Sequence, residues 1–224
     1  ITSQLRGNGE TRFFSRKVRT NCVWEEDGVI YRRGEKILES KDILIPGTHN
    51  IENYMAAIAL VEGLATDDAI RQVAKHFGGV EHRIELVRVK DGVRFYNDSI
   101  ASSPSRTIAG LRSFPEQVIL IAGGYDKHIP YDVLGPEICK HVKKLFLGGA
   151  TGPKIRAAVE AAPEYAPGKP EIVDCKDFTE ATLAAAKAAE SGDVVLMSPA
   201  SAAFDQFKNF MVRGEYYKKL IKEL

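Results

Sequence analysis

Cysteine is scarce in this sequence, which limits the chemistry that clustered thiols could support. Its 224 residues include three cysteines, Cys22, Cys139 and Cys175, and no two of them form a C-x-x-C pair. The five histidines are also dispersed and lack the H-E-x-x-H spacing of a zinc enzyme. These patterns exclude a disulfide framework and a zinc motif, and they are typical of reduced thiols in the cytoplasm.

Long apolar runs and an excess of one charge are also missing. No apolar stretch reaches the length of a membrane span, and the opening residues contain no apolar signal core. The 31 basic and 30 acidic residues give a formal charge of +1, which argues against a nucleic-acid-binding surface. We therefore expect a cytoplasmic protein with no nucleic-acid partner and no membrane association.

The hydrophobic content of 44% is sufficient for the core of one large domain or two small ones. Residues 1–45 predict short strands and turns in a hairpin meander. A helix with Met55 and Ile58 on one face follows, and Thr66 is a plausible N-cap for a second helix. Because such a meander does not easily bury one face by itself, and because the sequence begins at Ile1, we expect the C-terminal part of a longer protein.

The pattern changes after Gly78-Gly79, which is the best candidate for a domain boundary. Apolar runs that each lead into a helical pattern begin at residues 118, 145, 172 and 194, with spacings of 27, 27 and 22 residues. Each spacing accommodates one strand and one crossover helix, and continuous apolar strands predict a mostly parallel sheet covered on both faces. The expected fold class is therefore α/β, with a Rossmann-like sheet after the boundary.

Glycine and polar residues follow several of these strands, where open α/β sheets bind their ligands. The segment Gly123–Lys127 offers backbone for close approach and a cation for a carboxylate or phosphate. Asp98 could accept ribose hydroxyls, and Ser198 precedes the expected start of the final helix, whose free N–H groups could hold an anion. Ordinary alternatives exist for each feature: a solvent lysine in a tight turn, an elaborate N-cap, and helix capping by Ser201.

Two further features favour a nucleotide ligand. Asn50 and Asn53 lie at i, i+3 on the first helix, and an amide side chain presents the donor and acceptor that an adenine edge requires. Arg83 follows the domain boundary, where a guanidinium suits phosphate. Asn50 could equally cap its helix, and Arg83 could equally form an interdomain ion pair, so the residues alone leave both interpretations open.

Several motifs occur together in one order along the chain. They are Gly47-Thr48-His49-Asn50-x-x-Asn53, His82-Arg83-x-Glu85, Asn97-Asp98-Ser99, Gly123-Gly124-x-Asp126-Lys127, and Ser198-Pro199-Ala200 followed by Phe210-x-x-Arg213-Gly214. This order resembles the Mur ligase family, the ATP-dependent amide ligases of peptidoglycan precursor synthesis. The resemblance runs from about Gly47 to the end. It implies that residues 1–80 are the C-terminal part of a central ATP-binding domain and that residues 81–224 are a C-terminal Rossmann-like glutamate-ligase domain.

The resemblance is strongest to the members that add D-glutamate to UDP-N-acetylmuramoyl-L-alanine through an acyl phosphate, with ATP and Mg²⁺ as cofactors. It implies that four residues contact ATP: Asn50, Asn53, Arg83 and Asp98. It implies that five residues contact D-glutamate: Lys127, Ser102, Ser198, Phe204 and Phe210. The family's phosphate-binding loop, catalytic acid, carbamylated lysine and most Mg²⁺ ligands are expected upstream of this chain, which we therefore expect to be inert alone.

Two positions depart from the family pattern. Ile100 stands where many members carry a lysine, and Ala203 stands where some carry a serine; Tyr125 is a milder variation in the glycine loop. Two alternatives to a D-glutamate ligase remain: a non-catalytic module that binds a nucleotide or an amino acid, and a ligase of the folate polyglutamate type. An upstream phosphate-binding loop would favour a ligase over the module, and specificity for D- rather than L-glutamate would separate the two ligases.

Overall fold

The computed structural model describes residues 9–224, which divide into two compact units, and the boundary along the chain falls between Gly78 and Gly79. The first unit contains a four-stranded sheet in the order β1-β2-β3-β4 and two helices that cover it. Its elements are β1 (Phe14–Ser15), β2 (Val23–Glu26), β3 (Val29–Arg32), β4 (Glu35–Glu39), α1 (Thr48–Leu60) and α2 (Asp67–His76).

The first unit confirms both predicted helices and corrects the predicted meander. Met55 and Ile58 of α1 are buried in its core, and Thr66 Oγ1 accepts a hydrogen bond from Ala69 N at 3.2 Å, as an N-cap does. The meander prediction is wrong at its start, because β1 pairs with β2 in parallel rather than as a hairpin. The face of the sheet is buried against α1 and α2 of the same unit, which the strand pattern alone could not show.

The second unit contains a six-stranded sheet in the order β5-β6-β10-β7-β8-β9. Its elements are β5 (Glu85–Lys90), β6 (Val93–Asn97), α3 (Pro104–Leu111), β7 (Val118–Ala122), α4 (Gly135–His141), β8 (Val142–Leu147), α5 (Gly152–Glu160), β9 (Glu171–Asp174), α6 (Phe178–Lys187), β10 (Val194–Met197) and α7 (Phe210–Glu223). Strand β5 is antiparallel to β6, and every other neighbouring pair is parallel. The predicted fold class is confirmed.

The apolar strand runs arise because helices cover both faces of this sheet. Successive residues of a strand point to opposite faces, so Ile119 and Leu120 of β7 enter different cores. Leu120 packs in the core that includes Ile138 of α4, and Ile119 packs in the core that includes Tyr217 of α7. All residues of β7 and β10 are buried, as expected of central parallel strands.

The strand order places a topological switch point between β7 and β10. After β7 the chain continues to its neighbour β8, towards the β9 edge of the sheet. After β10 it continues to α7, which packs on β5 and β6 towards the opposite edge. The loops that follow these two strands therefore separate at the carboxyl edge. Ligand crevices of open α/β sheets form at such points.

The prediction that the segment after β10 opens the final helix is wrong. Helix α7 begins at Phe210, and its N-cap is Asn209, whose Oδ1 accepts from Val212 N at 3.0 Å. The residues after β10 instead form an irregular loop in which Ala200 has a positive φ of 56°. Ser198 therefore does not stand at a helix N-terminus. Within residues 9–224, none of the helices has the length and apolarity needed to cross a membrane.

Candidate functional site

A cleft lies at the carboxyl edge of the second unit's sheet, between the loops that follow β7, β8 and β10. We call residues 123–127 the β7 loop and residues 198–205 the β10 loop. Residues from all three loops and from the start of α7 line the cleft: Gly123, Gly124, Gly148, Pro199, Asp205 and Arg213. A small concavity therefore lies at the switch point, at the edge of the sheet where the polar strand ends predict a site.

The β7 and β10 loops approach so closely that a side chain does not fit between them. Gly124 has a φ of 149°, and a Cβ built on it would lie 2.3 Å from the carbonyl oxygen of Ala202. The next residue, Tyr125, donates its N–H to the same carbonyl at 2.9 Å. Glycine at this position thus allows the backbone contact that joins the two loops.

Buried hydroxyl groups join the same loops from beneath. Ser201 Oγ lies 2.8 Å from Tyr131 Oη and 2.7 Å from Thr151 Oγ1. Thr151 Oγ1 also donates to the carbonyl oxygen of Gly124 at 3.2 Å. Ser201, which could have capped a helix, is instead fully buried and connects the β10 loop to the residues that follow β8.

Arg213 of α7 is buried below the cleft, with 1% of its surface exposed. Its Nε donates to Ser99 Oγ at 3.0 Å and its Nη2 donates to Ser99 O at 2.9 Å. Nη1 reaches Ala202 O at 3.1 Å, and Nη2 also reaches Ser201 O at 3.1 Å. Burial lowers the pKa of Arg213 to about 10, so the guanidinium remains charged at neutral pH while every acceptor is a neutral oxygen.

The predicted ribose contact Asp98 and the predicted D-glutamate contact Ser198 bind each other inside the protein. Ser198 Oγ lies 2.7 Å from Asp98 Oδ2 and 3.0 Å from Thr107 Oγ1, and Ile84 N donates to Asp98 Oδ1 at 3.3 Å. Ser198 is fully buried and Asp98 is 4% exposed. As placed here, both side chains hold the ends of β6 and β10 together and neither offers a free group to a ligand.

Four other predicted residues share the same edge of the sheet. Lys127 is exposed, and no hydrogen bond or ion pair of its side chain occurs within residues 9–224. Ser102 is half-buried in the segment after β6. Phe204 is 63% exposed, whereas Phe210 is half-buried with its ring 5.9 Å from that of His82. A cation and apolar rings are thus available beside the cleft.

The remaining predicted residues are divided between the two units. Asn50 and Asn53 belong to the first, where Asn53 Nδ2 donates to Asn50 Oδ1 at 3.2 Å and Asn50 Nδ2 donates to Pro46 O at 2.6 Å. Asn53 is exposed and retains a free amide oxygen, which fits the edge of an adenine base. Arg83 is exposed in the second unit, just before β5.

The geometry offers little to a metal ion. Within residues 9–224, one group of candidate ligands is Glu81, His82 and Glu215. Lys218 Nζ already lies 2.6 Å from the Glu81 carboxylate and 2.9 Å from that of Glu215. Because an ammonium group neutralises these carboxylates, the cluster is better described as an ion-pair network than as a Mg²⁺ site.

Burial gives Asp98 a pH dependence that a variant can reveal. Its pKa is raised to about 7, chiefly by burial and against the opposing hydrogen bonds of Ser198 and Ile84. An unfolded aspartate titrates near pH 3.9, so between about pH 4 and pH 7 the folded state binds more protons and the stability due to this group falls as pH rises. We therefore expect Asp98→Asn to gain stability relative to the wild type by about 1 kcal/mol per pH unit across that window.

Urea unfolding at several pH values measures this difference. Asp126→Asn is an opposite control, because Lys154 lowers the pKa of Asp126 and its contribution to stability is lost as pH falls. A difference between Asp98→Asn and wild type that stays constant from pH 4 to pH 7 would contradict the buried carboxyl described here.

Sequence reasoning placed Arg213 in a family motif and considered Ser201 as a helix cap, but it did not predict that these residues and Thr151 are buried and hold the loops together. The buried position of Arg213 had a detectable signal, because it precedes Tyr217 and Ile221 at i, i+4 and i+8 on one face of α7. A cation in an apolar helical stripe is either buried with partners or misplaced. Ser201 and Thr151 gave no comparable local signal, since their partners are distant in sequence.

An open, mostly parallel sheet with a crevice at its switch point defines a Rossmann-like ligand-binding domain. Residues 82–201 match the family model described as "Mur ligase, glutamate ligase domain". The match covers more than half of the 224 residues. The chain belongs to the Mur ligase family.

The curated relatives agree with this assignment. The whole chain is 50% identical to half of the UDP-N-acetylmuramoylalanine--D-glutamate ligase of Acetivibrio thermocellus. A protein of the same name from Clostridium perfringens is 42% identical over 95% of the chain and 46% of its own length. The chain thus spans about half the length of these relatives.

Solved structures show the same fold at low identity. A pseudomurein peptide ligase type C from Methanothermus fervidus matches 92% of the chain and 42% of its own, with a TM-score of 0.62 and 14% identity. A folylpolyglutamate synthase from Thermotoga maritima matches 88% of the chain and 44% of its own, with a TM-score of 0.55 and 18% identity. At this identity, the two structural similarities show a shared fold only.

Proposed function

We propose that this chain supplies the D-glutamate-binding part of an ATP-dependent cytoplasmic ligase that joins D-glutamate to UDP-N-acetylmuramoyl-L-alanine. The observation that carries the proposal is the 50% identity along the entire chain to a UDP-N-acetylmuramoylalanine--D-glutamate ligase. The second unit adds chemical support, because the exposed lysine Lys127 belongs to the β7 loop, which lines the cleft and is hydrogen-bonded to the β10 loop.

The proposed reaction forms one amide bond at the expense of ATP. The carboxylate of the UDP-linked alanine attacks the terminal phosphorus, ADP leaves, and an acyl phosphate results. The amine of D-glutamate then attacks the acyl carbon, loses a proton and displaces phosphate. ATP and Mg²⁺ supply the activation, and most of the residues that hold the Mg²⁺ are proposed to lie outside this chain. The second unit's share of catalysis is to position the amino acid.

Lys127 is the residue we propose to bind a carboxylate of D-glutamate, with Ser102, the backbone at Phe204, and Phe210 around it. Lys127 is suited to this because it is exposed and unpaired, whereas neighbouring Asp126 is already paired with Lys154 at 2.5 Å. A free cation favours a carboxylate without first breaking an internal ion pair.

Asn53 is proposed to contact the adenine of ATP, supported by Asn50, and Arg83 to contact phosphate. These roles fit side chains that are exposed or retain free polar atoms. Direct contact of Asp98 with ribose or of Ser198 with D-glutamate fits less well, because both groups are enclosed. We propose that these two residues position the cleft loops instead.

The proposal is tested with the complete product of the gene that encodes this chain, by measuring phosphate release with ATP, UDP-N-acetylmuramoyl-L-alanine and D-glutamate. We expect release to require both acceptor and D-glutamate, and we expect the 224-residue chain alone to be inactive. Lys127→Ala should raise KM for D-glutamate about 10- to 100-fold with little change in KM for ATP. Lys187→Ala, an exposed lysine on α6, serves as the matched control.

Three other outcomes would each contradict the proposed function in a different way. Activity with L-glutamate and a folate acceptor would indicate a folate polyglutamate ligase. Ligand binding without phosphate release by the complete gene product would indicate a non-catalytic module. Acceptor-dependent turnover by the 224-residue chain alone would contradict the division of labour proposed here.

A further inference from the structure

Two aromatic side chains are exposed beside the cleft, although water is an unfavourable environment for them. Tyr125 of the β7 loop is 43% exposed, and Phe204 of the β10 loop is 63% exposed. Their ring centroids are 5.9 Å apart, with an interplanar angle of 74°. The pair therefore makes the edge-to-face contact that aromatic rings prefer, and it leaves the remaining ring surface open to a ligand.

The backbone holds this aromatic pair in place before any ligand arrives. Tyr125 forms an isolated antiparallel bridge with Ala202, two residues before Phe204, and the bridge includes the 2.9 Å hydrogen bond from Tyr125 N to Ala202 O. Arg213 Nη1 binds the same carbonyl at 3.1 Å from below. Because the loops are already ordered, contact with the rings does not require a large loss of conformational entropy.

The groups around the aromatic pair indicate what the rings contact. Lys127 is two residues from Tyr125 and has no partner within residues 9–224. Ala203, between Ala202 and Phe204, carries a methyl group and so provides no side-chain donor. A ligand that matches this surface has a carboxylate for the lysine and a short apolar chain for the rings. A dicarboxylic amino acid has both features.

We propose that the rings of Tyr125 and Phe204 pack against the side-chain methylene groups of the incoming amino acid and thereby favour glutamate over aspartate. This inference rests on the proposed function. It adds Tyr125 to the site, and it gives the ring of Phe204, a residue that the resemblance already places at D-glutamate, a role in selecting the substrate. Glutamate has one methylene more than aspartate, so it covers more ring surface while a carboxylate stays at Lys127. Discrimination by one methylene is modest, about 10-fold or slightly more.

The test compares kcat/KM for D-glutamate and D-aspartate in the complete gene product. We expect Tyr125→Ala and Phe204→Ala each to raise KM for D-glutamate about 3- to 10-fold, with little change in kcat. The preference for glutamate should fall by a similar factor, and Phe204→Leu should restore most of it by returning apolar volume. Leu183→Ala is the matched control, because Leu183 is also 43% exposed and lies on α6.

The possible outcomes separate this inference from the proposed function. A wild-type gene product that does not use D-glutamate refutes the proposed function, and the inference falls with it. An active wild type whose alanine variants keep the same glutamate preference overturns the inference alone. Variants that raise KM for ATP or for the UDP-linked acceptor instead would show that the rings contact another ligand, and this too overturns the proposal. Melting temperatures close to that of the wild type are expected, since both side chains are exposed.

Discussion

Replacing Arg213 with methionine is expected to lower the free energy of unfolding of the second unit by about 4 kcal/mol. Methionine fills part of the buried volume but donates no hydrogen bond. The variant leaves the buried carbonyl oxygens of Ser99 and Ser201 without the donor that they have in the wild type, and it leaves Ala202 O with the N–H of Tyr125 alone. Each buried acceptor left unpaired costs about 1–3 kcal/mol.

The composition of the chain provides an internal control for this measurement. Its single tryptophan, Trp24, lies in β2 of the first unit. Tryptophan fluorescence therefore reports unfolding of the first unit, while far-ultraviolet circular dichroism reports both. We expect Arg213→Met to shift the dichroism transition to lower denaturant and to leave the fluorescence transition nearly unchanged. Equal shifts by both probes would show that the effect is not confined to the second unit.

Arg213→Lys separates charge from geometry. Lysine retains the positive charge, but one ammonium group on a flexible stem cannot replace a planar fork that reaches three carbonyl groups. We expect it to restore about half of the lost stability. If Arg213→Met stays within about 1 kcal/mol of the wild type, the guanidinium network does not hold the cleft loops.

The architecture of the second unit was predictable because its strands have a simple local signature. Val118–Ala122 is apolar throughout, as a strand covered on both faces requires, and Asp177 caps α6 through a 2.8 Å contact with Glu180 N. These features depend on residues close in sequence. The same holds for the position of the polar loops at the strand ends, which located the cleft.

Pairings between distant residues were not predictable in this way. Strand β10 inserts between β6 and β7, so that Met197 pairs with Asn97 across 100 positions. No local pattern specifies that order. The irregular β10 loop is a similar case, because the buried partners of Ser201 and the guanidinium of Arg213 outweigh the local tendency to begin a helix.

The orientation of polar side chains could not be predicted from the sequence either. The motif order predicted Asp98 and Ser198 as site residues, and both directly follow strands that end beside the cleft. Their side chains turn inward and bind each other at 2.7 Å. A polar residue after a strand can serve a ligand or fasten a loop, and burial distinguishes the two. Lys127 and Phe204 are exposed, so we keep the proposal that they contact D-glutamate.

Directly after β7, at Gly123, the backbone packs so closely against another backbone segment that a substitution can test the contact. Gly123 has a φ of 111°, and a Cβ placed on it would lie 1.8 Å from the carbonyl oxygen of Gly148. The N–H of Gly123 binds Pro199 O at 2.9 Å, and Gly148 N binds Ala122 O at 3.0 Å. The residue thus sits between the ends of β8 and β10, and the carbonyl that would meet the Cβ is part of the backbone, which cannot rotate away as a side chain does.

Gly123→Ala is therefore expected to lower the free energy of unfolding of the second unit by about 4 kcal/mol, from the clash and the strained φ together. Gly192→Ala measures the backbone strain without the clash, because Gly192 has a φ of 97° but no atom within 4 Å of its Cβ position. We expect this variant to lose only about 1 kcal/mol of unfolding free energy. The same circular dichroism measurement compares the two variants.

Separation of the loops in Gly123→Ala should also reduce ligase turnover of the complete gene product about 100-fold. Equal destabilisation by both substitutions would mean that the strand ends relax at little cost, contrary to the close backbone packing to which we assign the positioning of D-glutamate.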